Sequence, residues 1–258
     1  MKIVVLVKQV PDTYEDRKLD TAAGLVDRGA CEPVLDEINE RALEVALRYR
    51  DGNKGTEVVL LSMGPEGTAS ALRKGLSMGA DVAVHVLDSA LSGADLGRTA
   101  AVLAAALRAT GFDLVIAGNA STDGGGGVVP AMVAEHLGLP HLTFLDAVEI
   151  SAGTVAGVRA TEHGSLGVHA LLPAVISVTE RSAEARFPNF KGILKAKKKP
   201  LQVLSLAEIG LDPAFAGAGR SAVVTAAERP ARTGGTRITD EGTAGEQLAD
   251  FLASARLI

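Results

Sequence analysis

Residues 113–130 read DLVIAGNASTDGGGGVVP, and the fold turns on how this stretch is understood. Leu114, Val115, Ile116 and Ala117 make an apolar, partly β-branched run of the kind covered on both faces of a parallel sheet, and Gly118 ends it. In open parallel sheets ligands bind beyond the carboxyl ends of strands, where loops and helix N-termini present unpaired N–H groups. Asn119, Ser121, Thr122 and Asp123 put polar side chains at such a point. Gly124, Gly125, Gly126 and Gly127 then supply backbone that reaches positive φ and can lie against a ligand without interference from a Cβ. Val128 and Val129 open a helical stretch, VVPAMVAEHLG, so the glycine run aims amide N–H groups at an anion, most naturally a phosphate. Taken alone, four glycines fit a slack surface loop as well. The spacing is not G-x-x-x-x-G-K-[ST], and no Lys follows, which excludes the usual phosphate loop of NTP-hydrolysing proteins.

Upstream of this turn, strand and helix patterns alternate. Residues 3–7 are a short apolar strand, left abruptly through KQVPDTYEDRKLD, a long polar loop. Lys8 at the strand end suits a phosphate or a flavin edge, or is simply solvated. A helix follows in ERALEVALRYR, with Asp36 or Asn39 as its N-cap. Residues 56–62 form a second strand, ending at Ser62 and Met63; the helix after it carries Leu72 and Leu76 and closes at Gly79. Residues 82–87 form a third strand, with His85 as a core or strand-end histidine. Residues 95–110 form an Ala-rich helix with Leu96, Leu103 and Leu107 in register, stopped by Gly111. This βαβαβαβ order implies a parallel sheet.

Downstream the pattern changes. Residues 143–150, 154–161 and 165–172 read as three short strands with little room for helices, an antiparallel extension, and residues 174–178 return to the main sheet. His163 and His169 fall in these strands and read as a surface pair. The expected fold is therefore α/β: a Rossmann-like open, mainly parallel sheet over residues 1–210, with an antiparallel extension and a C-terminal arm. Residues 211–237 lose periodicity and read as an extended arm. Ala244, Leu248, Phe251, Leu252 and Ala255 form an apolar helical stripe from about Thr239 or Asp240, so residues 211–258 suit docking on a partner subunit.

The chain has 258 residues, 47% hydrophobic and 3% aromatic with no Trp, enough to bury an aliphatic α/β core. Cys31 is the single cysteine, which excludes an intramolecular disulfide or a multi-cysteine metal site and suits a reducing cytoplasm. The first residues read as a strand, not a signal peptide, and no apolar run approaches transmembrane length. Net charge is −5, but residues 181–199 hold seven basic residues and one acidic. The acidic remainder argues against nucleic acid, and the basic segment is a docking site for an acidic surface. Phe187, Pro188, Phe190, Ile193 and Leu194 lie among Lys195, Lys197 and Lys198, apolar anchors inside a basic rim. A basic helix packed by its own apolar face fits the same residues. There is no G-x-S-x-G, no H-E-x-x-H and no evident nucleophile–base pair, so nothing nominates a catalytic residue and a carrier is favoured over an enzyme.

The motifs KIVVLVKQVPD, DEINERALEVALR, LLSMGP, AGNASTDGGGG and, above all, ISVTERSAEARFPNFKGILKAKKKP resemble the beta subunit of electron transfer flavoprotein over most of the chain. The resemblance implies a heterodimer whose alpha subunit holds most of the redox-active FAD, with AMP buried in the beta subunit in a structural role. It places the AMP against Leu6, Val7 and Lys8, Asp36 and Asn39, Ser62 and Met63, and the turn from Gly118 through Asn119 and Ser121 to Val129. Asp12 and Thr13 correspond to the loop that approaches the flavin; where relatives often have an aromatic, Thr13 stands here with Tyr14 next. Residues 181–199 correspond to the loop that grips acyl-CoA dehydrogenases or related flavin dehydrogenases, with the anchor near Phe187 to Phe190 and Lys195 and Lys197 to Lys199 around it. Electrons would pass through FAD towards the respiratory chain. In electron-bifurcating relatives a second FAD replaces the AMP, and the STDGGGG turn is more like the non-bifurcating kind. Two alternatives stand beside this reading: a stand-alone adenine-nucleotide-binding protein of the universal-stress type, and an enzyme such as an adenylating ligase or amidohydrolase on the same fold.

Overall fold

The computed structural model describes residues 1–212, 221–232 and 234–258. A first compact unit spans Met1–Ala226 and a second Ala227–Ile258. In chain order the first unit contains β1 (Lys2–Leu6), β2 (Gln9–Pro11), β3 (Lys18–Asp20), β4 (Leu25–Asp27), β5 (Pro33–Leu35), α1 (Glu37–Gly52), β6 (Glu57–Met63), α2 (Thr68–Met78) and β7 (Val82–Val86). Then come α3 (Leu96–Thr110), β8 (Leu114–Gly118), α4 (Val129–Leu137), β9 (His141–Ser151), β10 (Thr154–Thr161), β11 (Gly164–Leu171), β12 (Ala174–Val178), α5 (Phe190–Ala196) and β13 (Leu201–Leu204).

One sheet of nine strands, in the order β11-β10-β9-β12-β8-β1-β6-β7-β13, organises the unit. It is parallel except at β10 and β11, which extend it antiparallel from β9. The architecture is the α/β sheet with antiparallel extension that the sequence implies. Alternation along β1 shows why both faces are covered. Ile3 and Val5 pack with Leu43 and Leu47 of α1 and Leu72 and Leu76 of α2. Val4 and Leu6 pack with Leu103 and Leu107 of α3 and Val133 and Ala134 of α4. From β1 the chain steps through β6 to β7 on one side, then returns to place β8 on the other side. The carboxyl ends of β1 and β8 thus flank a switch point, where open α/β sheets hold their ligands.

Several local expectations change. The polar loop after β1 is built from two small antiparallel ribbons, β2 with β5 and β3 with β4. β13 pairs parallel with β7 and forms an edge that the sequence reading missed, its burial limited mostly to Leu204. Asp36, not Asn39, caps α1, its carboxylate accepting from the amides of Ile38 and Asn39. His85 is a core histidine, its Nε2 3.0 Å from the Gly64 carbonyl. Leu96 is 45% exposed and leaves the register of Leu103 and Leu107. His163 lies in the turn between β10 and β11, apart from His169 in β11.

The second unit contains α6 (Ala244–Ser254), none of whose residues is buried. It starts later than Thr239 or Asp240 because Asp240 accepts from the amides of Gly242 and Ala244, and Gly242 sits at φ +105°. Of the expected arm, positions 213–220 and 233 lie outside the described residues; 221–232 and 234–240 form neither helix nor strand. Among the described residues, no helix is long and apolar enough to cross a membrane.

Candidate functional site

A cavity of about 770 Å³ opens at the switch point. Its floor is made by Leu6, Val7 and Lys8 at the end of β1 and by Ala117, Gly118 and Asn119 at the end of β8. Ser121, Gly124, Gly126, Gly127 and Val129 wall one side, Met63, Gly64, Pro65 and Thr68 the other, and Asn39 stands behind. Leu87, Leu91, Leu96 and Leu103 complete an apolar wall, with Asp88 beside it, that motif reading did not supply. Nor did it find Leu25, Val26 and Arg28, which the β3–β4 ribbon carries to the rim.

The glycine turn is bound into the fold. Gly125 and Gly127 lie at φ +60° and +67°, in the left-handed region where a side chain is strained. A Cβ on Gly118 would come within 2.5 Å of the Asn39 amide nitrogen, and Asn39 in turn accepts from the Lys8 amide at 2.7 Å. This close approach joins β1, α1 and β8 at the cavity floor. Asp36, fully buried, also accepts from the Thr122 amide at 2.8 Å and hydroxyl at 2.9 Å. Its role in the structure is to tie the turn to the start of α1; neither Asp36 nor Thr122 faces the cavity. These contacts replace the slack-loop alternative. Ser62, Asp123, Gly125 and Val128 also lie outside the lining, as do Asp12 and Thr13, which sit with the 96% exposed Tyr14 on the outer loop.

Lys8 reaches Asp123 at 2.8 Å and the Ser121 hydroxyl at 3.2 Å, and Arg28 closes on the other oxygen of Asp123 at 2.6 Å. Burial opposes the charge on Asp123, but the hydrogen bond and charge of Lys8, with Ser121 and Arg28, outweigh it and hold the carboxyl well below its usual range. Arg17 bonds the Thr122 carbonyl and, at 3.0 Å, its hydroxyl, so two arginines fasten the segment before and after β3–β4 to the turn.

Several groups here invite a polar ligand. The Oγ1 of Thr68, the Oδ1 of Asn119 and, beside the Met63 wall, the Oγ of Ser62 are buried without a protein partner among the described residues. Buried polar atoms are normally satisfied, so these mark positions for ligand or water contacts. α2 and α4 both begin on the cavity without a side-chain cap; the first amides of α2 turn back onto the carbonyls of Pro65, Glu66 and Gly67, so it is the start of α4 that offers amides to an anion. A volume of 770 Å³ lies within the span of small-molecule and cofactor sites. The residues present fit a nucleotide. Among the described residues no group of three or more His, Cys, Asp or Glu is placed to hold a metal ion.

The basic segment is a second candidate site, anchored at both ends. Arg186 forks onto the buried Glu44 of α1 at 2.7 and 3.1 Å and reaches Asp51 at 2.9 Å. Burial disfavours charge on Glu44, but hydrogen bonds from Arg186 and Arg48 dominate and lower its pKa. At the far end Arg73 of α2 donates to the carbonyls of Ala196 and Lys199. Lys199 turns inward onto the carbonyls of Leu76, Gly79 and Ala80, so it caps α2 and does not belong with the outward lysines. A Cβ on Gly192 would come within 2.5 Å of the Ser77 carbonyl, so α5 packs closely on α2. Between the anchors, Phe187 is 95% and Phe190 76% exposed, Ile193 and Leu194 are about half exposed, and Lys195, Lys197 and Lys198 stand in solvent with Pro188 partly covered. Only Ala196 of α5 is buried, so a helix packed by its own large apolar residues is not what forms.

The two depressed carboxyls set an acid limit. Because the folded pKa lies below the unfolded value, their contribution is complete above the ordinary carboxylate range near pH 4 and is lost as pH falls through it towards the folded pKa. Urea midpoints are expected to hold between about pH 7 and about pH 5 and to drop below about pH 4. A midpoint that rises on acidification contradicts the assignment.

A family model described as the electron transfer flavoprotein domain matches residues 25–209. The chain is 51% identical over 265 residues to a protein of Mycobacterium leprae named electron transfer flavoprotein subunit beta, covering 99% of each. An equally named protein of Mycobacterium tuberculosis is also 51% identical, again over 99% of each chain. It is 34% identical to the caffeyl-CoA reductase–Etf complex subunit CarD of Acetobacterium woodii, over 98% of this chain and 97% of that one.

Proposed function

The chain belongs to the electron transfer flavoprotein family as a beta subunit, an electron carrier that pairs with an alpha subunit, and from that premise we propose what its two sites do. The cavity at the switch point holds a structural AMP, and the basic segment docks flavin dehydrogenases, acyl-CoA dehydrogenases among them, whose electrons pass on towards the respiratory chain. FAD, held mostly by the alpha subunit, supplies the redox chemistry. This chain's residues do the holding: Lys8, Ser121 and the amides of the glycine turn bind phosphate, Asn119 and Thr68 meet polar edges, and Asp12 and Thr13 border the flavin. The lone Cys31 suits a cytoplasmic carrier.

The observation that carries the docking role is the pairing of rigid anchors with a bare apolar tip. Arg186 and Arg73 fix the ends of the segment while Phe187 and Phe190 stay in solvent inside a lysine rim. Large exposed aromatics framed by charge are what a transient interface uses for its hot spot and steering. A stand-alone nucleotide-binding protein has no use for this device.

The test is to co-express the chain with its alpha subunit, release the cofactors and count them. One FAD and one AMP per heterodimer is the expected result. Two FAD and no AMP would move the cavity to the dinucleotide reading, which its volume also admits, and the absence of any adenine nucleotide beyond the alpha-held FAD would end the AMP assignment.

A further inference from the structure

Volume does not choose between a nucleoside monophosphate and longer nucleotides, since about 770 Å³ takes either. Charge does. Among the described residues the cations that line the cavity are Lys8 and Arg28, and both are engaged by the one carboxylate of Asp123, whose side chain is 1% exposed. The three groups together carry a single net positive charge. The remaining charged lining residues among those described, Glu66 and Asp88, are both acidic. One phosphate group brings close to two negative charges, and each further phosphate adds to them. A monophosphate therefore meets the turn's amides and a net +1 cluster, whereas a di- or triphosphate brings its extra charge into a cavity that also holds a buried carboxylate behind its lining and the acids Glu66 and Asp88 on it.

We propose that Asp123 is the specificity-determining residue of this cavity, restricting the glycine turn to one phosphate group and setting it against nucleoside di- and triphosphates. The inference rests on the reading of the cavity as an adenine-nucleotide site. Asp123 works through its neighbours: it lies behind the lining, neutralises Lys8 and Arg28 in advance, and leaves the turn's amides to recognise the anion. Thr68, whose residue is 1% exposed and whose Oγ1 has no hydrogen-bond partner among the described residues, remains as an independent mark of a ligand in the same space.

The heterodimer, stripped of nucleotide, is titrated with AMP, ADP and ATP in metal-free buffer at fixed ionic strength. The wild-type protein is expected to bind AMP at least about 100-fold tighter than ATP, and Asp123→Asn to shrink that ratio by about tenfold or more, mainly by tightening ATP. An unchanged ratio in a folded Asp123→Asn heterodimer overturns the proposal, as does wild-type protein that binds ATP as tightly as AMP. If Asp123→Asn does not assemble, Arg28→Gln decides: removing one cation is expected to widen the AMP-to-ATP ratio several-fold, and a ratio that stays level or narrows refutes the assignment. Failure of the wild-type protein to bind any adenine nucleotide is a separate outcome, which removes the nucleotide reading itself.

Discussion

Replacing Asp36 by Ala is expected to lower the unfolding free energy by about 3 kcal/mol and to empty the cavity of nucleotide. One buried carboxylate serves two structures. It accepts from the Ile38 and Asn39 amides at 3.0 and 3.4 Å, capping α1, and from the Thr122 amide and hydroxyl, holding the glycine turn. Loss of an N-cap alone costs about 1 kcal/mol. Leaving the Thr122 amide and hydroxyl unpaired in a part-buried position adds about 1 kcal/mol or more for each. Denaturant unfolding of the heterodimer gives the first number and equilibrium dialysis with AMP the second. Thr122→Val separates the effects, since it removes the hydroxyl and leaves the cap. A capped, stable α1 in Asp36→Ala would show that the carboxylate has no such double role.

The second large effect falls on Glu44. Its side chain is 5% exposed and neutralises Arg186 at one flank and Arg48 at another. Glu44→Ala leaves the Arg186 guanidinium with Asp51 as its remaining carboxylate, and losing the charged hydrogen bonds of this part-buried pair costs about 2 kcal/mol. The anchored end of the basic segment is then loosened, held by Asp51 and by the bond from Arg41 to the Ser182 carbonyl, so proteolysis within residues 181–199 is expected to quicken and dehydrogenase docking to weaken, with cofactor content unchanged. A double-mutant cycle with Arg186→Ala isolates the pair. Additive losses in that cycle would mean that the two side chains act separately and that the segment is held elsewhere.

The main elements were legible because their periodicity is strong. An unbroken apolar run such as 114–117 needs two covered faces, and the alternation of such runs with helical stripes leaves little but a parallel sheet. The turn was legible as a place, since glycines after a buried strand have few other uses. What escaped depended on tertiary partners. Leu25, Val26 and Arg28 sit in a polar stretch with no pattern, and only the pairing of β3 with β4 brings them to the cavity. Lys199 is indistinguishable in sequence from Lys197 and Lys198, yet three carbonyls at the end of α2 draw it inward, where burial lowers its pKa. β13 escaped because four residues with one buried side chain carry almost no periodicity. Asp36 was visible as a cap and as a site residue, but its grip on Thr122 spans 86 positions and no local signal reports it.

The strand order has a consequence for biosynthesis. β12 lies between β8 and β9, with all five residues buried, yet it is made after both. Until residue 178 has left the ribosome, the parallel edges of β8 and β9 face a gap, and the apolar faces that β12 will join stay open. At about 5–20 residues per second that wait, from the end of β8 to the end of β12, lasts on the order of three to twelve seconds, long enough for an unpaired edge to find another nascent chain. Such topologies nucleate slowly because distant pairings must form before they are rewarded. The nascent chain is therefore a natural client for chaperones that shield open edges, and synonymous codon changes just upstream of 174 that slow translation should raise the aggregated fraction at constant stability of the finished protein.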